Sequence, residues 1–146
     1  MEIPIQVKAQ SIKKMYDGLY DDLKIKYGLT MNEIMFLLYL DKHQMKNTAR
    51  EIVEDLMMTK SHISKSVDSL AKDNIIIRVR DEQDRKIIRL YINKTADDLL
   101  NDLRNREKLI NKNITKGISK EDLETFDMVL KCMQRNVIEM IEKEKN

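Results

Sequence analysis

The sequence predicts a mainly α fold carrying one small β-ribbon. Three observations predict it. In 146 residues there are three glycines and one proline, so few positions force a turn and helices run long. Six stretches place apolar residues at spacings of three and four, several of them behind a Ser, Thr or Asn able to cap a helix. One stretch, residues 75–92, reads instead as two runs rich in branched residues around a charged turn, the pattern of a β-hairpin.

The length suits a single domain, residues 1–146, with a sizeable core. The composition, 42% hydrophobic and 36% charged, is that of a globular chain. The lone cysteine, Cys132, excludes an intrachain disulfide and a cysteine-based zinc site, and it fits a reducing cytoplasm. The longest apolar run, Ile34 to Leu40, is too short to span a bilayer, and the N-terminus lacks the blocks of a signal peptide. A cytoplasmic protein with no membrane partner is expected. The net charge of +2 is small, but it is unevenly spread. Residues 1–59 carry −1, residues 60–94 carry +4 and residues 95–146 carry −1. Phosphate neutralisation needs such a local patch rather than a basic whole chain.

The elements follow in order. Residues 5–27 read as one amphipathic helix on Ile12, Met15, Tyr16, Leu19, Leu23 and Tyr27, stopped by Gly28. Thr30 caps the second helix and Glu33 completes a capping box. This helix is apolar nearly all round, so it takes the centre of the domain. Residues 43–47 are a polar loop. Thr48 and Glu51 repeat the capping pattern ahead of the stripe Ala49, Ile52, Val53, Leu56 and Met57. After a turn at Met57-Met58, Thr59 caps a fourth helix with Ile63, Val67, Leu70 and Ala71 inward. Asn74 then suits a left-handed helix end. Strands at 75–80 and 87–92 flank the turn Asp81–Lys86. Asn93 or Thr95 caps a fifth helix, with Asp97, Asp98 and Asp102 near its positive end, running to about Lys116. Gly117 breaks it. Ser119 caps a last helix whose stripe is Phe126, Val129, Leu130, Met133, Val137, Met140 and Ile141.

Two short helices joined by a tight turn and followed at once by a ribbon make a winged helix-turn-helix, a module that holds duplex DNA. Lys60, Ser61, His62, Ser64 and Lys65 are left on the outward face of its second helix. Ser and His are short enough to approach base edges in the major groove, and the lysines reach phosphate or guanine. On the wing, Arg85 and Lys86 suit an adjacent minor groove, with Arg78 and Arg80 near the DNA backbone. Asp81 or Asp84 is expected to orient Arg85. The first helix and the two long C-terminal ones carry apolar stripes that a head of about 65 residues does not cover. Residues 1–28 and 95–146 are therefore expected to pair with a second copy, a homodimer that sets two recognition helices about one DNA turn apart.

With these residues in place, the chain resembles the MarR family of bacterial transcription regulators over nearly its whole length. The family often opens its second helix with Leu-Thr, here Leu29-Thr30. After the recognition helix it shows Leu-x-x-x-Gly-hydrophobic-Ile, here Leu70 to Ile76 with Asn74 in place of Gly. An arginine follows, matched by Arg78. The wing pattern Asp-x-x-Asp-x-Arg is met by Asp81, Asp84 and Lys86. The ensuing Leu-x-Leu-Thr-x-x-Gly is Leu90 to Ala96, with Asn93 for Thr and Ala96 for Gly. Lys86 departs from the usual wing arginine, and Lys lacks the planar fork that Arg offers. Which of Arg85 and Lys86 enters the minor groove stays open. The resemblance implies a dimeric regulator, most simply a repressor, on a pseudo-palindromic operator. In many members a small aromatic effector bound between the head and the dimerisation helices releases the DNA, and others answer to thiol oxidation or metal.

Met15, Met31, Met35, Met45, Met57 and Met58 fall in the helices that would line such a pocket, although core filling explains them too. Cys132 has no resolving partner in the chain, which favours a structural over a redox role. His43 and His62 have no partner at metal-ligand spacing. There is no phosphate loop, nucleophile elbow or His-Glu metal motif, so neither catalysis nor a cofactor is expected. The alternative reading is a winged-helix protein-interaction module or antirepressor that does not bind DNA.

Overall fold

The computed structural model describes residues 5–145. Seven α-helices occur there: α1 (Ile5–Gly18), α2 (Asp21–Tyr27), α3 (Met31–Lys42), α4 (Ala49–Leu56), α5 (Lys60–Lys72), α6 (Asp97–Ile114) and α7 (Lys120–Glu144). Strands β1 (Ile76–Arg80) and β2 (Ile88–Ile92) lie between α5 and α6, and a single 3-10 turn at Lys94–Ala96 leads into α6. The chain forms two compact units, one ending at Ile110 and the other beginning at Asn111.

The single helix expected over 5–27 is two helices. At the break, Leu19 and Tyr20 donate only to the carbonyls three residues back, those of Tyr16 and Asp17. Gly18 lowers the cost of leaving the helix there. Asp21 and Asp22 stand in the first turn of α2, where the helix dipole favours them. The break also shifts the phase. Tyr20 and Leu23 turn into the core while Leu19 is left half exposed. Arg106 on α6 donates to the Leu19 carbonyl and to both carboxylate oxygens of Asp22. Tyr27 closes the other end of α2 on Asp102 of α6, at 2.5 Å.

In α3 the expected centre is found. Ile34, Phe36, Leu37, Leu38, Tyr39 and Leu40 are all buried. Both capping boxes form as expected, Thr30 with Glu33 and Thr48 with Glu51. Around α3 gather Ile52 of α4, Ile63, Val67 and Leu70 of α5, Ile76 and Leu90 of the strands, and Leu99, Leu103 and Ile110 of α6. Met57 does not extend the α4 stripe. It ends the helix in a left-handed turn (φ 54°) and is exposed.

Helix α5 ends in a Schellman motif. Ile75 donates to the Leu70 carbonyl and Asn74 to the Ala71 carbonyl, with Asn74 at φ 58°. The chain reverses there straight into β1. β1 and β2 pair antiparallel from Ile76 opposite Ile92 to Arg80 opposite Ile88. The loop before α4 lies along the other edge of β2: Thr48 bridges Arg89, and the Asn47 carbonyl accepts from Leu90 at 2.8 Å. At the next junction the Asn93 side chain accepts from Thr95, so Asn93 is the cap.

In the second unit, Ser119 caps α7 and also bonds the Asp122 side chain. No residue of α7 is buried.

Candidate nucleic-acid interface

The N-terminal end of α5 is fixed by Thr59, whose side chain accepts from the His62 amide at 3.2 Å. With Ile63, Ser66, Val67 and Leu70 buried, the helix must turn its opposite side to solvent. Lys60, Ser61, His62, Ser64 and Lys65 are all exposed on it, next to one another as their spacing required.

The wing tip is built by its aspartates. Asp81 accepts from the amides of Gln83 (2.8 Å) and Asp84 (3.3 Å), and Asp84 accepts from the Lys86 amide at 3.0 Å. Arg80 lays its guanidinium on the Arg85 carbonyl, 3.3 Å away. Arg85 and Lys86 are exposed. Among the described residues no carboxylate bonds the side chain of either: the second oxygen of Asp81 accepts instead from Nε of Arg89, at 2.7 Å. That guanidinium first, and then the Gln83 and Asp84 amides, hold the Asp81 carboxyl below the usual carboxylate range. The other end of Arg89 donates from Nη1 to Oδ1 of Asn47, which is 2% exposed.

Arg78 is not a free cation beside the wing. It is bonded to Asp68 on α5. Between α4, α5 and the strands lies a groove of about 780 Å³, floored by Ala49, Val53, Ile63, Val67, Ile88 and Leu90 and edged by Arg50, Glu54, Lys60, Asp68 and Arg78. Asn47, Asp68 and Arg89 thus belong to the site although residue pattern did not single them out. Periodicity marks a face, whereas these three are joined only once α4, α5 and the ribbon have packed.

The sensor candidates are scattered. Met15, Met45 and Met57 are largely exposed, Met35 is partly so, and Met31 and Met58 pack against the core. None lines the large groove. Met45 borders a smaller one with Tyr91. His43 stacks on Tyr39, ring centres 4.5 Å apart. Cys132 is exposed, with Nη2 of Arg135 at 3.5 Å from its sulfur. Among the described residues no helix is long and apolar enough to cross a membrane.

A family model described as transcriptional regulator SarA/Rot matches residues 18–103. The HTH-type transcriptional regulator SarU of Staphylococcus aureus is 30% identical over 89 residues, 60% of this chain and 35% of SarU. The chain therefore spans about a third of the length of that curated relative. Solved structures that share the fold include two regulators. MepR of S. aureus, in a complex with DNA, is 19% identical, covers 93% of this chain and 98% of its own, and superposes with a TM-score of 0.82. The transcription regulator MarR from Oenococcus oeni is 17% identical over 90% of this chain and 99% of its own, with a TM-score of 0.79. The fold they share with this chain is the winged helix-turn-helix.

Proposed function

The chain belongs to the SarA/Rot family of transcriptional regulators, and from that premise we propose that it represses transcription as a homodimer on a pseudo-palindromic duplex. One observation carries the reading. Among the described residues, seven cations of the segment 29–94 take part in no ion pair: Lys60, Lys65, Lys72, Arg80, Arg85, Lys86 and Lys94. Five of the seven stand on the outward end of α5 or on the wing. Unpaired cations on one surface are what phosphate binding needs, since an ion-paired cation releases no counterion. In this reading Ser61, His62 and Ser64 meet base edges in the major groove. Residues 29–94 form the DNA-binding head, and 1–28 with 95–146 form the dimer.

The homodimer is supported by α7, whose Phe126, Val129, Leu130, Met133, Val137 and Ile141 are exposed along one stripe. Val7, Ile12 and Met15 of α1 are exposed too, as is Leu19 just after it. Release by a small aromatic effector belongs to the same reading. The alternative, a protein-interaction module, is favoured by the apolar floor of the large groove. Duplex titrations over a salt series separate the two. Changing Lys60 and Lys65, or Arg85 and Lys86, to Ala should weaken binding and reduce the slope of log K against log salt by about 0.9 for each phosphate no longer neutralised. If affinity and slope stay at wild-type values in both variants, the DNA reading fails.

A further inference from the structure

Nothing in the wing sequence explains how a hairpin on a two-stranded ribbon holds its tip in place. Two-stranded ribbons are weakly stable by themselves. Here β2 is stitched to the start of α4 by main chain, through the Thr48–Arg89 bridge and the bond from Leu90 to the Asn47 carbonyl. The tip lies beyond that stitching, and a chain of side-chain bonds reaches it. Asn47 Oδ1 accepts from Arg89 Nη1 at 2.9 Å, Arg89 Nε donates to Asp81 at 2.7 Å, and Asp81 accepts the Gln83 and Asp84 amides. One end of the chain is nine-tenths buried or more, at Asn47. Asp81 and Arg89 side chains are 17% and 32% exposed. Charge-assisted bonds in such shielded positions are stronger and better oriented than surface pairs.

Resting on the DNA-binding reading, we infer that Arg89 is a positioning residue of the interface, which acts through Asp81 and Asn47 to fix the wing tip that presents Arg85 and Lys86. It acts through protein rather than through DNA, with Nε and Nη1 committed to Asp81 and Asn47. Lysine does not replace it, since only a planar fork serves Asp81 and Asn47 at once. Fixing the tip before binding removes an ordering cost from the complex.

The test uses the full chain and a duplex enriched from a random library by the wild-type protein. Versions of that duplex carry A·T or G·C flanks where the wing would fall. Wild type should prefer the A·T flank. Arg89→Ala and Arg89→Lys should each lower affinity for the A·T version about tenfold and leave the G·C version unchanged. Asp81→Asn should do the same. In the Arg85→Ala, Lys86→Ala background the Arg89→Ala change should add nothing. By NMR without DNA, the amides of Gln83 and Asp84 should shift and exchange faster in Arg89→Ala, while those of α5 should not. Additive losses would make Arg89 a residue that touches DNA directly and overturn the proposal. So would wild-type affinity, equal losses on both flanks, or failure of both the Arg89 and Asp81 variants to melt cooperatively. If the library yields no duplex, the DNA reading itself falls and this role falls with it, whatever the tip amides do.

Discussion

Arg78 of the wing strand is bonded side chain to side chain with Asp68 of the recognition helix. The pair joins the two elements expected to face DNA and cancels one positive charge between them. Both residues are well exposed, so the bond contributes little to stability, of order 0–1 kcal/mol. Its weight falls on binding. Asp68→Ala frees Arg78 for a phosphate, so affinity should rise and the salt slope should steepen by about 0.9. A titration across salt concentrations reads both. An unchanged slope would mean that Arg78 lies out of reach of the backbone.

Asn74 holds the left-handed end of α5 at φ 58°. Asn74→Gly should be neutral or stabilising, because glycine takes this conformation freely. Asn74→Val should cost about 1–2 kcal/mol, the penalty of a side chain in that region. Urea denaturation midpoints compare the two. Equal midpoints would show that the Schellman bonds tolerate any side chain.

Thr59→Ala removes the N-cap of α5 and should cost about 1 kcal/mol. Ile52→Ala, at a fully buried position, should cost about 2–5 kcal/mol because a cavity is left as well. The order of the two, measured by the same denaturation, checks that α4 is held by its core side chain more than α5 is by its cap.

Arg106 holds the Asp22 carboxyl at about 2, first through its hydrogen bonds, against an ordinary value of 3.8. The folded state therefore binds this proton less readily than the unfolded chain. The stability it contributes is fully present above 3.8 and is lost as the pH falls through about 2. Melting temperature followed over that range should fall more steeply in the wild type than in Arg106→Gln. Parallel curves would remove Asp22 from the acid sensitivity.

Much of the fold is legible because caps and periodicity act locally. Thr30, Thr48, Thr59 and Ser119 each announce a helix, and each caps one. The two branched runs that mark the ribbon pair as its strands on either side of the charged turn. The outward lysines and serines of α5 follow directly from its buried face. Local rules end at Gly18. An apolar stripe through Leu19 is a good continuous helix, and only the pull of Tyr20 into the core and the reach of Arg106 from α6 break it. The same holds at the wing. Asp81 or Asp84 was expected to serve the nearby Arg85, but Arg89 takes Asp81 because its strand places it beside both Asp81 and the buried Asn47. A side chain chosen by tertiary packing carries no sequence signal of its own.

The break at residues 18–20 makes α1 a jointed arm. Across it the backbone ladder is already interrupted, so swinging α1 would sacrifice turn bonds rather than unwind a helix. Its bearing is held by Tyr16, which packs on the core beside Tyr20, and by the Arg106 guanidinium, which grips the Leu19 carbonyl and the first turn of α2 together. Part of that grip thus comes from α6, and a change at Arg106 would loosen the joint without altering one residue of α1.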